Sequence, residues 1–356
     1  MRMLPIHHHA LRAVCAFALF VTCCAPRCWS IPARAVSQDE PTATHRPAHH
    51  AHPSTPRPAA THRGTPAQAA ALKAASESGR RLLPGFVKIP AGDFEMDSGE
   101  HVAYQSAAEE PVHRVSFRAY GMGATEVTRG EFAQFVAATG YVTDAEKNAD
   151  KHAGCLSYKG DGKFDWVAGR SWRDVGFTQD HSHPVVCVSW NDAKNYVAWK
   201  SGRLGAAVRL PSEAEQEYAL RAGGHTLYPW GANLDGACAH ANIADASARR
   251  VYTYWPPTTC DDGYAQTAPV GSFPSNAFGL KDMAGNVWEW AQDCYHDTYA
   301  GAPADGSAWT SRSCGYRVVR GSAWISYPAI LRSALRLRFA PAHRSVVHGF
   351  RLAQDL

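Results

Sequence analysis

The alternation of apolar and polar positions predicts short strands through much of the chain. Residues with period-two patterning, or short apolar runs beside turn residues, are typical of strands. They fall at 86–90, 93–96, 114–117, 316–324 and 331–339. The first two runs flank an Ala91-Gly92 turn. In the last run, apolar Leu335 and Leu337 alternate with Arg336 and Arg338.

Three stretches instead repeat apolar residues at helical spacing, and each follows a capping residue. They cover residues 128–140, 189–200 and 212–222. Thr128 with Glu131, and Ser212 with Glu215, fit capping boxes, and Gly140 and Gly223 are placed to end their helices. Three helices of about ten residues each, among many strands and loops, predict an α+β domain with little regular secondary structure.

Composition divides the chain into three parts. Residues 1–35 combine Arg2 and Arg12, an apolar run over 13–25 and a small-x-small Ala33-Arg34-Ala35 site, which is typical of a secretory signal peptide. Residues 36–82 are rich in Pro, Ala, Thr and His and lack the apolar side chains needed for a core, so we expect a disordered linker. Residues 83–356 form the predicted folded domain.

Two alternatives remain open for the first 82 residues. Cys23 or Cys24 could carry a lipid, although Phe20-Val21-Thr22 is a poor lipoprotein signal. The histidines of the linker could bind a transition metal loosely. The apolar run of residues 13–25 is too short for a permanent membrane span, so we expect a periplasmic or secreted protein without one.

The net charge of +4 comes from the first 35 residues, which hold four arginines and no acid. Beyond them, basic and acidic side chains are equal in number. A domain without net charge has no excess of basic side chains with which to bind nucleic acid, so we expect no nucleic-acid partner.

Six of the ten cysteines lie in the predicted domain, and an even number in an exported chain favours disulfides. We predict that neighbours pair, as Cys155–Cys187, Cys238–Cys260 and Cys294–Cys314. Each disulfide would contribute on the order of 3 kcal/mol to the free energy of unfolding in the chain-entropy model. The alternative is that one pair is a reactive thiol or metal site.

The segment 279–290 is the most distinctive of the chain, because it joins a Gly285-Asn286 turn to Trp288-Glu289-Trp290. In an extended strand the two tryptophans share one face and Glu289 takes the other. A carboxylate beside a turn that exposes carbonyl oxygens is suited to a hard cation such as calcium. The simpler interpretation is a turn followed by a core strand.

This segment closely resembles the signature of the formylglycine-generating enzyme (sulfatase-modifying factor) family, and further motifs of that family follow in the same order. They are Ile89-Pro90-Ala91-Gly92-Asp93-Phe94, Glu110-Pro111-Val112-His113, Val188-Ser189-Trp190-Asn191-Asp192-Ala193, Arg209-Leu210-Pro211-Ser212-Glu213-Ala214-Glu215, Tyr228-Pro229-Trp230-Gly231, Gly321-Ser322 and His348-Gly349-Phe350-Arg351-Leu352. The resemblance implies the family's fold, a distant variant of the C-type lectin fold.

The resemblance also implies an activity, the oxidation of a sulfatase cysteine to formylglycine with oxygen and a copper ion held by two cysteines. Soft thiolates suit Cu(I). In the family those cysteines closely follow the Gly-Ser motif, but no cysteine lies between Gly315 and Leu356 here. The sequence therefore argues against copper as cofactor. A similar group without these cysteines works in siderophore maturation, as in pyoverdine chromophore oxidation.

By the same resemblance, Trp288, Ser322 and Arg336 would line a substrate groove for a peptide or peptide-derived ligand. Core packing of Trp288 and an internal ion pair of Arg336 are the alternatives. Calcium would be held at two sets of positions implied by the family. The first set is Asn242, Ile243, Asp262 and Tyr264, and the second is Asp282, Gly285, Val287 and Glu289.

Three functions follow in order of preference. The first is an exported oxidoreductase that modifies a peptide or peptide-derived substrate without thiolate-bound copper. The second is a non-catalytic, calcium-stabilised module that binds a peptide, a glycan or a partner protein. The third is formylglycine generation on sulfatases.

Overall fold

The computed structural model describes residues 81–97, 105–147, 152–159, 163–256 and 258–356. These residues all belong to the unit formed by Arg63–Leu356. The predicted signal peptide lies outside the described residues, as does the predicted linker except for Arg81 and Leu82.

The first of two four-stranded sheets is antiparallel throughout and runs in the order β1-β4-β12-β7. Its strands are β1 (Phe86–Ile89), β4 (Tyr120–Gly123), β12 (Ala353–Asp355) and β7 (Val208–Arg209). Strand β12 pairs with β4 on one side and with β7 on the other. The last strand of the chain therefore joins two distant parts of the sequence.

The second four-stranded sheet has the order β10-β9-β8-β11. Its strands are β10 (Leu337–Phe339), β9 (Arg317–Arg320), β8 (Trp288–Cys294) and β11 (His348–Gly349). Strand β11 runs parallel to β8, with His348 opposite Trp288, and the other pairs are antiparallel. This sheet brings the Trp-Glu-Trp segment beside the C-terminal motif.

Two two-stranded antiparallel sheets, six α-helices and two 3-10 helices (Ala107–Glu109 and Pro328–Ile330) complete the described structure. The two-stranded sheets are β2 (Gly92–Met96) with β3 (His113–Phe117), and β5 (Cys155–Tyr158) with β6 (Phe164–Val167). The helices are α1 (Arg129–Thr139), α2 (Asp144–Lys147), α3 (Trp190–Leu204), α4 (Glu213–Arg221), α5 (Ala237–His240) and α6 (Ala246–Val251). Mixed helices and sheets with much irregular chain confirm the α+β prediction.

The three predicted helices are confirmed, because their start signals are local. Thr128, Ser189 and Ser212 each accept a hydrogen bond from the third helical amide, and each helix completes a capping box. Helix α3 extends to Leu204 rather than to Lys200 and is capped by Gly205, and α4 is capped by Ala222, one residue before the predicted Gly223. The short helices α2, α5 and α6 were not predicted.

Two strand predictions were wrong in their extent. In the run 331–339 only Leu337–Phe339 is a strand, since the residues before it form turns that bury Arg332 and Arg336. In the run 316–324 the strand is limited to Arg317–Arg320, because the chain turns at Gly321 with φ +94°. Strands β1 and β2 do not pair across the Ala91-Gly92 turn; they pair with β4 and β3 instead.

The three predicted disulfides are confirmed. Cys155–Cys187, Cys238–Cys260 and Cys294–Cys314 have Cα–Cα distances of 5.6, 6.0 and 5.3 Å. Disulfides persist in oxidising compartments, so they are consistent with an extracellular or periplasmic protein. Within the described ranges, no helix has both the length and the apolar character required to cross a membrane.

Candidate functional site

The segment 321–332 follows β9 and carries aromatic side chains where the family resemblance implies copper-binding thiols. Trp324 is fully buried, and its ring centroid lies 5.5 Å from Tyr252 and 6.1 Å from Trp255. Phe177 and Phe164 pack on the same indole at 5.9 and 6.1 Å. The segment is thus anchored by aromatic packing.

No free thiol lies in the described part of the chain, because its six cysteines form the three disulfides. A Cu(I) site of the thiolate type requires two deprotonated sulfurs that are not bonded to each other. The residues present therefore do not fit a thiolate-bound copper ion, either after Gly321-Ser322 or at a relocated cysteine pair.

The three predicted groove residues are all buried and lie in or next to the second sheet. Trp288 on β8 is 4% exposed, Ser322 two residues after the end of β9 is 2% exposed, and Arg336 directly before β10 is 3% exposed. Ser322 adopts φ +68° and donates its hydroxyl hydrogen to Ile330 O at 3.0 Å. These side chains therefore contribute to the interior of the described structure.

Arg336 forms the internal ion pair that the sequence left as an alternative. Its Nε and Nη2 donate to the two carboxylate oxygens of Glu213, each at 2.7 Å. Nη1 donates to Ala108 O and His296 O, and the guanidinium lies 4.3 Å from the Tyr299 ring centroid. The hydrogen-bonding capacity of this arginine is largely used within the protein.

Further buried ion pairs surround this one, and sequence reasoning missed them. Arg320 contacts Glu217, and Arg332 donates to both oxygens of Glu109 at 2.7 and 2.8 Å. Glu213 and Glu217 of α4 have partners that lie 123 and 103 residues away along the chain, so no local signal indicates these pairs.

The first predicted cation set is centred on Asp262. Its two carboxylate oxygens accept hydrogen bonds from the amides of Ile243 and Tyr264, both at 2.8 Å. The carboxyl of Asp245 lies close by and also accepts the amide hydrogen of Asp262. Burial raises the pKa of Asp262 to about 7, and Asp245 adds to the rise. Asn242 Oδ1 is buried and has no hydrogen-bond partner. The carboxyl oxygens of Asp245 and Asp262 lie together and are of the oxygen type that calcium binds.

Asp245 was missed by sequence reasoning, and its local role explains why. It caps α6 by accepting a hydrogen bond from the amide of Ala248 at 2.9 Å. Capping is the role that an Asp directly before a helix usually has, so its position in the sequence does not indicate a metal ligand. Cys238 Sγ also lies near the two carboxyls, but it is bonded to Cys260 and offers no thiolate.

The second predicted set surrounds the turn before β8. Asp282 is 5% exposed and has one carboxylate oxygen, Oδ1, without a partner. Glu289 is 2% exposed, but both its oxygens accept hydrogen bonds from Arg351. Gly285 donates its amide hydrogen to Gly321 O, and Val287 is fully buried in the core. Oxygen ligands are present here too, although the charge of Glu289 is already balanced.

A recess of about 230 Å³ lies at the surface beside α1. It is lined by Arg129, Arg173, Asp174, Val175, Phe177, Thr178 and Gln179. Arg129 donates to the carbonyls of Trp172, Arg173 and Gln179, so it fixes the shape of this loop. Because Phe177 also contacts Trp324, the recess adjoins the segment 321–332.

Comparison with known proteins agrees with this fold. Residues 72–356 match the model of the sulfatase-modifying factor enzyme 1-like domain. The formylglycine-generating enzyme of Streptomyces coelicolor is 36% identical over 311 residues, which are 82% of this chain and 95% of that protein. The mouse (Mus musculus) formylglycine-generating enzyme is 34% identical and covers 77% of this chain and 76% of its own.

Solved structures agree as well. The structure of PvdO from Pseudomonas aeruginosa is 37% identical, with a TM-score of 0.63, and the match covers 76% of this chain and 94% of that one. Treponema denticola variable protein 1 shares the fold at 21% identity and a TM-score of 0.54, with 76% of this chain and 95% of that one covered. The chain therefore belongs to the sulfatase-modifying factor (formylglycine-generating enzyme) family.

Proposed function

We propose that this protein oxidises a peptide or peptide-derived substrate without a thiolate-bound copper ion. One observation carries the proposal: all six cysteines of the described residues are closed in disulfides, and none follows Gly321-Ser322. The family membership supports an enzyme, while the closed cysteines exclude the thiolate route for it.

The recess at Phe177 is the site we assign to the substrate. It is concave, it lies outside the buried ion pairs, and Trp324 supports its aromatic wall from behind. Its volume of about 230 Å³ suits one side chain or ring of a substrate rather than a whole peptide. The remainder of a peptide would lie across the adjoining surface.

The proposed oxidation is a dehydrogenation. The substrate loses two electrons and two protons, and dioxygen takes them up and becomes hydrogen peroxide. Within this scheme the residues of the recess bind and orient the substrate. Proximity and orientation are the contribution that such a recess makes to a reaction rate.

Aerobic turnover tests this proposal. The purified protein is incubated in air with linear and cyclised peptides, and oxygen consumption, peroxide and the substrate mass are followed. We expect a product that lacks two hydrogens, and Phe177→Ala should lower the rate about tenfold or more. Phe164→Ala is the matched control, since Phe164 also packs on Trp324 but does not line the recess.

A calcium-stabilised binding module is the second candidate. It is favoured by the burial of Trp288, Ser322 and Arg336, and by the partners that the polar groups of Ser322 and Arg336 have inside the protein. Peptide binding that is weakened by Phe177→Ala, with no oxygen consumed and no change in mass, would support the module and contradict the enzyme.

Formylglycine generation is the third candidate. Conversion of a Cys-x-Pro-x-Arg peptide to formylglycine by the copper-loaded protein would overturn our proposal. We expect no conversion, because the described residues offer no thiolate pair for the metal.

A further inference from the structure

The disulfide Cys294–Cys314 joins a core strand to a surface loop. Cys294 is the last residue of β8 and is 3% exposed. Cys314 is half-buried, and the residues around it at 310–313 and 315–316 are all exposed. Thiol–disulfide exchange begins when a thiolate from outside reaches one of the two sulfurs. The Cys314 side of this bond is therefore the side open to attack.

Two hydrogen-bond donors converge on the buried sulfur, Cys294 Sγ. The amide of Ser311 donates to it at 3.1 Å, and Arg317 Nη1 donates to it at 3.8 Å. The hydroxyl of Ser311 donates to Ser313 O at 2.9 Å, which fixes the loop that carries this amide. A nearby cation and a hydrogen-bond donor favour a thiolate, and a sulfur that is stable as a thiolate leaves faster in exchange. Cys294 is therefore the better leaving group of the bond.

The guanidinium of Arg317 is held beside this sulfur by two further contacts. Its Nη1 also donates to Gln292 O at 2.9 Å, and the guanidinium lies 3.7 Å from the ring centroid of Trp190. The carboxyl of Asp293, the residue before Cys294, accepts backbone amide hydrogens with both of its oxygens. The charge in contact with Cys294 Sγ is thus a positive one in a fixed position.

The other two disulfides have different surroundings. Both residues of Cys155–Cys187 are fully buried in the core, where a thiolate from outside does not reach them. The Cys238–Cys260 disulfide has a half-buried member, but the carboxyls of Asp245 and Asp262 lie close to Cys238 Sγ. Acidic groups beside a sulfur disfavour its thiolate form. Exposure and a positive charge therefore coincide at Cys294–Cys314 and at neither of the other pairs.

We propose that Cys294–Cys314 is a site of thiol–disulfide exchange with a low-molecular-weight thiol. The thiolate of that molecule attacks Cys314 Sγ, the bond between the two cysteines breaks, and Cys294 leaves as a thiolate beside Arg317. A second thiol molecule then attacks the outer sulfur of the mixed disulfide and releases Cys314. In total the protein disulfide gains two electrons and two protons, and the two thiol molecules lose them and become a disulfide.

The loop keeps contacts to β8 that do not depend on the sulfur–sulfur bond. The amide of Trp309 donates to Asp293 Oδ1 at 2.8 Å, and the amide of Cys294 donates to Trp309 O at 2.9 Å. The rings of Trp309 and His296 stack with their centroids 3.5 Å apart. We therefore expect the exchanged protein to stay folded, with only the segment around Cys314 released. The proposal does not depend on the oxidation described above, so the two can fail separately.

Graded reduction of the purified protein tests the proposal. The native protein is incubated with increasing concentrations of glutathione, quenched with an alkylating reagent and mapped by peptide mass spectrometry. We expect Cys294 and Cys314 to be reduced at a thiol concentration at least about tenfold lower than the other two pairs require. The glutathione of the mixed disulfide should be found on Cys314. Far-UV circular dichroism should show a folded protein after this step.

Substitutions of Arg317 test the role of its charge, with dithiothreitol as an uncharged thiol so that attraction of the reagent does not contribute. Arg317→Met should slow reduction of this pair about threefold or more, and Arg317→Lys should restore part of the rate because it keeps the charge. Arg338→Met is the matched control. Arg338 lies on the neighbouring β10 and pairs with Asp297 instead. We expect its substitution to leave the rate unchanged.

Three results would overturn the proposal. The first is reduction of all three disulfides at the same thiol concentration, or of another pair before this one. The second is glutathione attached to Cys294 instead of Cys314. The third is a folded Arg317→Met protein in which the pair is reduced as fast as in the unsubstituted protein. Circular dichroism of each variant before reduction separates a change in exchange from a loss of folding.

Discussion

Arg336 and Glu213 form a two-pronged ion pair in the protein interior, with both nitrogen–oxygen distances at 2.7 Å. Arg338, two residues later, pairs with Asp297 at the surface, and its side chain is 45% exposed. The two arginines are only two positions apart in the sequence, yet only Arg336 lies among buried groups. This contrast provides a matched test of what burial does to an ion pair.

Arg336→Met should destabilise the protein by about 3–5 kcal/mol, because it leaves Glu213 charged and buried without its partner. Arg338→Met should cost less than about 1 kcal/mol, since its pair is exposed to solvent. Urea unfolding followed by tryptophan fluorescence measures both. Equal costs for the two substitutions would contradict the interior pairing.

His348 should make the protein less stable in acid. It is fully buried, and burial first, then the nearby His343, hold its pKa well below the usual value. The unfolded chain therefore takes up a proton near pH ~6.5, where the folded protein does not. The stability is fully present above that pH and is lost as the pH falls below it.

Urea unfolding at neutral pH and at about pH 5 measures this effect. His348→Phe should reduce the loss of stability between the two conditions, whereas the exposed His225→Phe should leave it unchanged. An unchanged acid sensitivity in His348→Phe would show that other groups cause it.

Capping residues that differ in burial should differ in their contribution to the free energy of unfolding. Ser212 is 1% exposed; its hydroxyl accepts from the amide of Glu215 and donates to Gly306 O at 2.7 Å. Thr128 caps α1 in the same way but is less buried. Ser212→Ala should cost about 2 kcal/mol and Thr128→Ala about 1 kcal/mol. Chemical denaturation of the two variants measures the difference, and a larger cost for Thr128→Ala would contradict it.

A thiol assay of the denatured protein, after removal of the N-terminal segment with its four cysteines, should find no free thiol. The three disulfides account for Cys155, Cys187, Cys238, Cys260, Cys294 and Cys314. Detection of two thiols would mean that one cysteine pair is not bonded as a disulfide and could bind copper. The proposed reaction without thiolate-bound copper would then fail, and copper binding would be measured next.

Sequence reasoning predicted the parts of the fold that depend on neighbours in the chain. The capping boxes at Thr128 and Ser212 and the strand at Trp288 all follow from residues within one or two turns. The disulfides also join cysteines that are neighbours in their order along the chain. Local chemistry was sufficient in each case.

The candidate sites depended on partners that are distant in sequence. Arg336 was predicted to line a groove or to form an internal ion pair, and its partner Glu213 lies 123 residues away in the sequence, where no motif links the two. The order of strands in the sheets could not be predicted from the sequence either, since β1 and β2 are adjacent in the chain but pair with different strands. Burial and pairing, which decide these roles, are properties of the folded chain.

Strand β12 has a consequence for the time at which the protein can fold. It bridges β4 and β7, which leave the ribosome long before Ala353–Asp355 are made. The first sheet therefore cannot be completed before β12 has been synthesised. Until then β4 and β7 each present an unpaired edge, and unpaired strand edges of a partly folded chain are prone to aggregation.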